Sequence, residues 1–169
     1  MNLSPAAPNA GPVLFYESQH YYLSNFSAFA IRWQDRLWMT SEHAYQAAKF
    51  LLNGDRDLAH EVGNCLSAHD ALMTARRLEK EGKFPGWDDG LRLETMASIV
   101  QHKFDQHPWI QRKLLETGDR VLTEASHKDA FWGWGPNGDG RNELGRIWMT
   151  LRAAHRQNLA AKAALTAAA

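Results

Sequence analysis

The chain has 169 residues, 44% of them hydrophobic and 22% charged, which fits one globular domain and excludes both two ordinary domains and wholesale disorder. Nineteen Lys and Arg balance nineteen Asp and Glu, so no global basic field exists to hold nucleic acid unselectively, and any such substrate must be recognised locally. A single cysteine, Cys65, excludes an internal disulfide framework and a multi-thiolate zinc site, and no apolar run approaches the roughly 20 residues that span a bilayer.

In chain order, residues 1–12 are rich in Pro and Ala and predict a flexible N-terminal arm. No basic residue precedes an apolar stretch there, so a secretory signal is not expected and a soluble cytoplasmic protein is. Val13 to Glu17 predicts a short strand. Phe29 to Trp33 and Arg36 to Met39 predict a hairpin turning at Gln34-Asp35. Thr40 or Ser41 caps a helix that Asn53-Gly54 stops. Ser67 caps a second helix with Asp70 three residues on, and Ala68, Ala71, Leu72, Ala75 and Leu78 share its apolar face. A third helix begins near Asp88 or Asp89, with Leu93, Met96, Ala97, Val100 and Phe104 as its stripe. Pro108 opens a short helix closed by Gly118, Arg120 to Ser126 is extended, and a last helix runs from Asn142 through Leu151. The pattern is α+β, one compact and predominantly helical domain over 13–159 with a small, mainly antiparallel sheet. The Ala-rich tail 160–169 has little to bury and is expected to fray.

Seven Trp, seven Phe and four Tyr stand out, several beside Gly, Asn and charged residues. They fit either a small core of large side chains or a cleft that stacks a planar ligand.

Three segments could carry chemistry. In TSEHAYQAAKF, from Thr40, Glu42, Gln46 and Lys49 fall within about 60° of one another on a helix. That stripe is either a solvated Glu/Lys face or a carboxylate and an amine on one cleft wall, with Glu42 in the first turn where the helix dipole favours its ionised form. In DAFWGWGPNGDGRNELG, from Asp129, five glycines and a helix start at Asn142 could cradle a phosphate on backbone amides, or form a turn-rich connector. No P-loop or dinucleotide fingerprint is present. In YYLSNF, from Tyr21, Ser24-Asn25 could make an Asx-type turn or present an amide to a base edge or a ribose hydroxyl. The eight His show no zinc-ligand spacing, Cys65 reads as a small buried side chain, and neither metal nor cofactor is expected.

Together with Trp87, Met96, Lys103-Phe104 and LLETGDRVLTEAS, these segments resemble the YbiA-like or NADAR family, in order from about Phe15 to Arg152. The resemblance implies a largely helical α+β domain that cleaves N-glycosidic bonds between a ribose carbon and a base-like nitrogen. It implies two substrate classes: ADP-ribose on guanine in nucleic acid, and the phosphoribosyl-pyrimidine intermediates of early riboflavin biosynthesis. Carried over, it makes Glu42, Lys49 and Asp129 catalytic. It makes Ser24, Asn25, Trp87, Trp132, Gly133, Gly138, Gly140 and Asn142 substrate-binding, with Gly145 closing the last motif. Two routes fit: Schiff-base formation by Lys49 with Glu42 moving protons, which the resemblance favours, and direct attack by carboxylate-activated water. The alternative function is a non-catalytic ADP-ribose or nucleotide reader. The sequence sets no oligomeric state.

Overall fold

The computed structural model describes residues 11–168. The elements in order are β1 (Val13–Phe15), β2 (Ile31–Trp33), β3 (Arg36–Trp38), α1 (Ser41–Leu51), α2 (Arg56–Gly63), α3 (Ala68–Lys80), α4 (Asp89–Gln106), α5 (Pro108–Glu116), β4 (Leu122–Glu124) and α6 (Glu143–Ala167). The fold is α+β, dominated by helices. The expected N-terminal arm lies outside the described residues except for Gly11 and Pro12, both exposed. No helix among the described residues is long and apolar enough to cross a membrane. The chain forms two compact units: Ser24–His107, and the segments on either side of it.

In the Ser24–His107 unit, β2 and β3 form the expected antiparallel hairpin with Ile31 opposite Trp38. Its turn residues Gln34 and Asp35 both take positive φ, the twist that matches a two-residue hairpin. The Trp38 indole donates to the Trp33 carbonyl at 2.9 Å, which ties the buried face of the hairpin together. Helix α1 packs against α2, α3 and α4. Thr40 caps it by accepting from the His43 amide at 3.2 Å, and the run Ala44, Ala47, Ala48 lets its neighbours approach closely. Helix α2 is not apparent from periodicity, because only Ala59, Val62 and Gly63 of its eight residues are buried. Gly63 is required there by close packing, since a Cβ would come within 2.5 Å of the Trp38 ring. Helix α3 begins as expected at Ser67, whose hydroxyl accepts from the Asp70 amide and donates to the Asp70 carboxylate. Leu72, expected on its core face, is half-buried. In α4, Met96, Val100 and Phe104 are buried as expected, and Lys103 is fully buried beside them. Cys65 is half-buried, with its thiol near the Thr74 hydroxyl at 3.4 Å.

In the other unit, β1 and β4 pair in parallel, Val13 with Leu122 and Phe15 with Glu124. The strands therefore form two ribbons, one antiparallel and one parallel, and the parallel pair joins segments too distant in sequence for a local pattern to reveal it. Phe15, Leu23, Ile110, Leu114, Leu122 and Trp148 are its most buried large side chains. The Trp148 indole donates to the Leu23 carbonyl at 2.9 Å. Helix α6 continues past Leu151 to Ala167, exposed beyond Arg156, because strong helix formers carry it with no glycine or proline after Gly145.

Candidate functional site

The polar stripe of α1 is inside the protein. Glu42 is 6% exposed and Gln46 4%, which rules out an ordinary solvated face. The Glu42 amide donates to the Asn25 carbonyl at 3.0 Å, and its Oε1 accepts from the Gln46 amide nitrogen at 2.7 Å. The Asn25 side chain, also buried, points its Nδ2 at the Met96 sulfur, 3.2 Å away and a weak acceptor. Asn25 Oδ1 and Gln46 Oε1 are buried acceptors with no donor among the described residues. Buried amide oxygens are normally satisfied, so these two mark a locally frustrated polar cluster around the carboxylate.

The turn expected at Ser24-Asn25 is made by the serine. Ser24 makes the turn, its Oγ accepting from the Phe26 amide at 3.2 Å, while the Asn25 side chain takes no part in it. Lys103 fixes that turn from α4 by donating to the Ser24 carbonyl at 2.8 Å and to Ser27 Oγ at 2.7 Å. Complete burial pushes its ammonium down to about 7. His43, behind the stripe, is held as a neutral ring. Nε2 donates to the Cys65 carbonyl at 3.1 Å, so Nδ1 accepts from Thr40 Oγ1 at 2.8 Å, and burial lowers its basicity.

One α1 turn beyond Gln46, the Lys49 side chain is 14% exposed. Its Nζ donates to Glu79 Oε1 at 2.5 Å and lies 5.6 Å from the centre of the Tyr45 ring and 5.7 Å from that of Phe84. Trp87 stands edge-on to both rings, at 5.8 Å from Tyr45 and 5.5 Å from Phe84, and its indole N–H is buried without an acceptor among the described residues. Lys49 and Trp87 thus share one aromatic box. Glu79 and Phe84 were not singled out from the sequence. They lie on α3 and in the segment after it, and only packing brings them to Lys49.

Asp129, Trp132, Gly133, Gly138, Gly140 and Asn142 belong to the other unit. Asp129 Oδ1 accepts from the Phe131 and Trp132 amides, both at 2.8 Å, and so holds the start of the loop. Trp132 is half-buried, edge-on to Phe131 at 4.8 Å. The loop amides expected to hold phosphate are already engaged. Those of Glu143 and Leu144 donate to the carbonyls of Phe131 and Trp132, and those of Gly140 and Asn142 to Trp134 and Gly133. Asn142, at φ +53, bridges back to β4: its Oδ1 accepts from the Glu124 amide at 2.9 Å and its Nδ2 donates to the Leu122 carbonyl at 2.8 Å. The glycines serve packing for the same reason. A Cβ on Gly140 would lie 2.3 Å from the Gly133 carbonyl, and one on Gly145 2.2 Å from that of Leu122. Gly138 takes φ +75 at a turn with open space around it. The phosphate cradle is thereby corrected to a self-capped loop that carries Asp129 and Trp132. Among the described residues no group of three or more His, Cys, Asp or Glu could hold a metal ion.

The NADAR domain model matches residues 14–156. The N-glycosidase YbiA of Escherichia coli is 34% identical over 143 residues, 82% of this chain and 84% of that protein. A Nostoc punctiforme N-glycosidase is 35% identical over 83% of this chain and 90% of its own. A riboflavin biosynthesis protein of Vibrio vulnificus is 42% identical over 83% of this chain, which spans 38% of that longer protein. The NMR structure of Escherichia coli YbiA superposes with a TM-score of 0.71, covering 94% of this chain and 95% of that one at 29% identity. With a family match over most of its length and relatives that share nearly their whole length with it, the chain belongs to the NADAR family.

Proposed function

We propose that this protein is an N-glycosidase that hydrolyses the bond between a ribose carbon and a base nitrogen, and that Glu42 and Lys49 carry the chemistry. The observation behind the assignment is that one helix buries a carboxylate in a polar cluster and holds an amine, two turns on, within an aromatic box. A reader of ADP-ribose needs neither group. Relatives named N-glycosidase and riboflavin biosynthesis protein support the glycosidase activity and a riboflavin-pathway substrate such as an aminopyrimidine ribotide, and ADP-ribosylated guanine is the second substrate class we propose.

In the lysine route, the neutral Lys49 amine attacks the anomeric carbon. The C–N bond to the base breaks, and the base leaves with a proton from Glu42. Opening of the sugar ring gives a protonated imine. Water adds to it, Glu42 takes up a proton, and release of the sugar restores the amine. The sum is addition of one water across the glycosidic bond, with no redox change. Lys49 must first leave Glu79 and give up a proton. In the direct route, Glu42 takes a proton from the attacking water and Lys49 offsets charge on the substrate. Asn25 and Gln46 offer acceptor oxygens to hydroxyl or amino groups, and Trp87 offers a ring face to a base.

Incubation with guanine-ADP-ribosylated oligonucleotide and, separately, with the aminopyrimidine ribotide tests the proposal, with chromatography of the products. Release of free base and sugar from either is expected. Binding without product from both would make the protein a reader.

A further inference from the structure

A cavity of about 330 Å³ opens between the Tyr21–Leu23 turn and α5, within the unit that holds β1, β4 and α6. None of its lining residues figures in the chemistry above. Trp109 forms one wall, 44% exposed and held edge-on by Tyr22 at 5.3 Å. Lys113, Arg120 and His20 line the rest, with Glu116 and Thr117.

Two cations, Lys113 and Arg120, line the cavity against one carboxylate, Glu116. Lys113 is paired with Glu116 at 2.7 Å and Arg156 with Asp119, whereas neither Arg120 nor the buried Arg152 has a carboxylate salt-bridge partner among the described residues. Arg152 is occupied in fixing the floor, donating to Thr117 Oγ1 at 2.7 Å and to the Arg120 carbonyl at 2.8 Å. Tyr22 registers the carboxylate, its hydroxyl pushed up to about 12 by burial and then by Glu116, with Arg120 opposing, while two other groups register the cations. His20 is pushed down first by burial and then by Arg120 and Lys113. Arg152 is pushed down first by burial and then by Arg156, with Asp119 opposing. A bound anion would relieve both.

The cavity also has a fixed acceptor. The Tyr22 hydroxyl donates to the Lys113 carbonyl at 3.3 Å, so its oxygen accepts from His20 Nδ1–H at 3.1 Å. This leaves Nε2 of a neutral imidazole as a lone-pair acceptor. The ring is held there by a backbone at φ +56, a conformation a non-glycine residue adopts at a cost.

An exposed indole, a guanidinium and an acceptor nitrogen in a space suited to one small molecule select a planar ring that carries N–H groups and an anion. We propose that this cavity binds one nucleotide unit, with its base against Trp109 and within reach of His20, and its phosphate on Arg120 and Lys113. The unit is either a free mononucleotide or one residue of a strand. The assignment stands whether or not Glu42 and Lys49 hydrolyse a glycosidic bond.

The test reads the cavity directly. The Trp109 indole N–H resonance, identified by its loss in Trp109→Phe, is followed during titration with adenosine 5′-monophosphate, a short single-stranded oligonucleotide and inorganic phosphate. Saturable shifts are expected with the first two, and whichever binds more tightly identifies the source. Arg120→Gln and the surface variant Trp109→Ala, the latter read by calorimetry, should each weaken that ligand about tenfold or more, the scale of a lost stacked base or phosphate contact. A Trp109 resonance unmoved by both nucleotide ligands, affinity unchanged in both variants, or phosphate alone binding as tightly as the nucleotide would each overturn the proposal.

Discussion

Lys49 Nζ donates to Glu79 Oε1 at 2.5 Å, so the amine proposed as nucleophile rests on a carboxylate thirty residues away, on α3. A Schiff base needs a primary amine that is neutral part of the time, which arginine cannot supply although it can keep the ion pair. Lys49→Arg is therefore expected to fall to near-background turnover, and borohydride added during turnover should trap a protein–sugar adduct in the wild type alone. Mass spectrometry showing no adduct, with an active Arg variant, would return the mechanism to direct attack by water.

Glu42→Gln keeps the helix and an oxygen that can still accept from Gln46, and it removes the titratable group. Turnover should drop roughly 100-fold or more, the usual scale for a general acid or base. The melting temperature should change little. A variant with near-full activity would remove Glu42 from the mechanism.

Trp132 can be truncated without touching the backbone bonds that define its loop, since its amide is held by Asp129 and its carbonyl by Leu144. If the indole stacks a base, Trp132→Ala loses roughly 1–3 kcal/mol of ligand affinity. If it is a core residue, the loss appears as roughly 3–5 kcal/mol of stability. The half-buried ring and its short edge contact with Phe131 lead us to expect the first. Ligand titration and thermal denaturation of the same variant separate the two, and a large stability loss with unchanged affinity would sink the stacking role.

Lys103 gives the stability a pH dependence of known sign. Its folded-state pKa of about 7 lies below the 10.5 of an ordinary lysine. Between these values the unfolded chain binds a proton that the folded one does not, so stability rises with pH across this window and is lost as pH falls towards 7. Lys103→Met should flatten the rise, which has a slope of about 1.4 kcal/mol per pH unit at most. Denaturant unfolding of both proteins at pH 7 and pH 9 measures it. An equal slope in the variant would show that the burial of Lys103 does not govern this range.

The sequence by itself determined the local elements. The Thr40 and Ser67 caps, the Gln34-Asp35 turn and the apolar stripe of α4 are short-range patterns, and the structure has each of them. It also placed Glu42, Gln46 and Lys49 on one face of α1, because helical periodicity is a property of the chain alone. Helix α2 escaped because three buried residues make no recognisable stripe. The pairing of β1 with β4 escaped because their partners lie more than a hundred residues apart. Tertiary packing decided whether the α1 face meets water or protein, which residue holds Lys49, and that Lys103 is buried among apolar side chains under the Ser24 turn. It also decided the fate of the glycine loop, whose amides read as a ligand cradle in the sequence but bond within the loop in the fold, while the Phe131 and Trp132 carbonyls cap the first turn of α6. Backbone donors carry no mark of their acceptors, and only the folded chain assigns them.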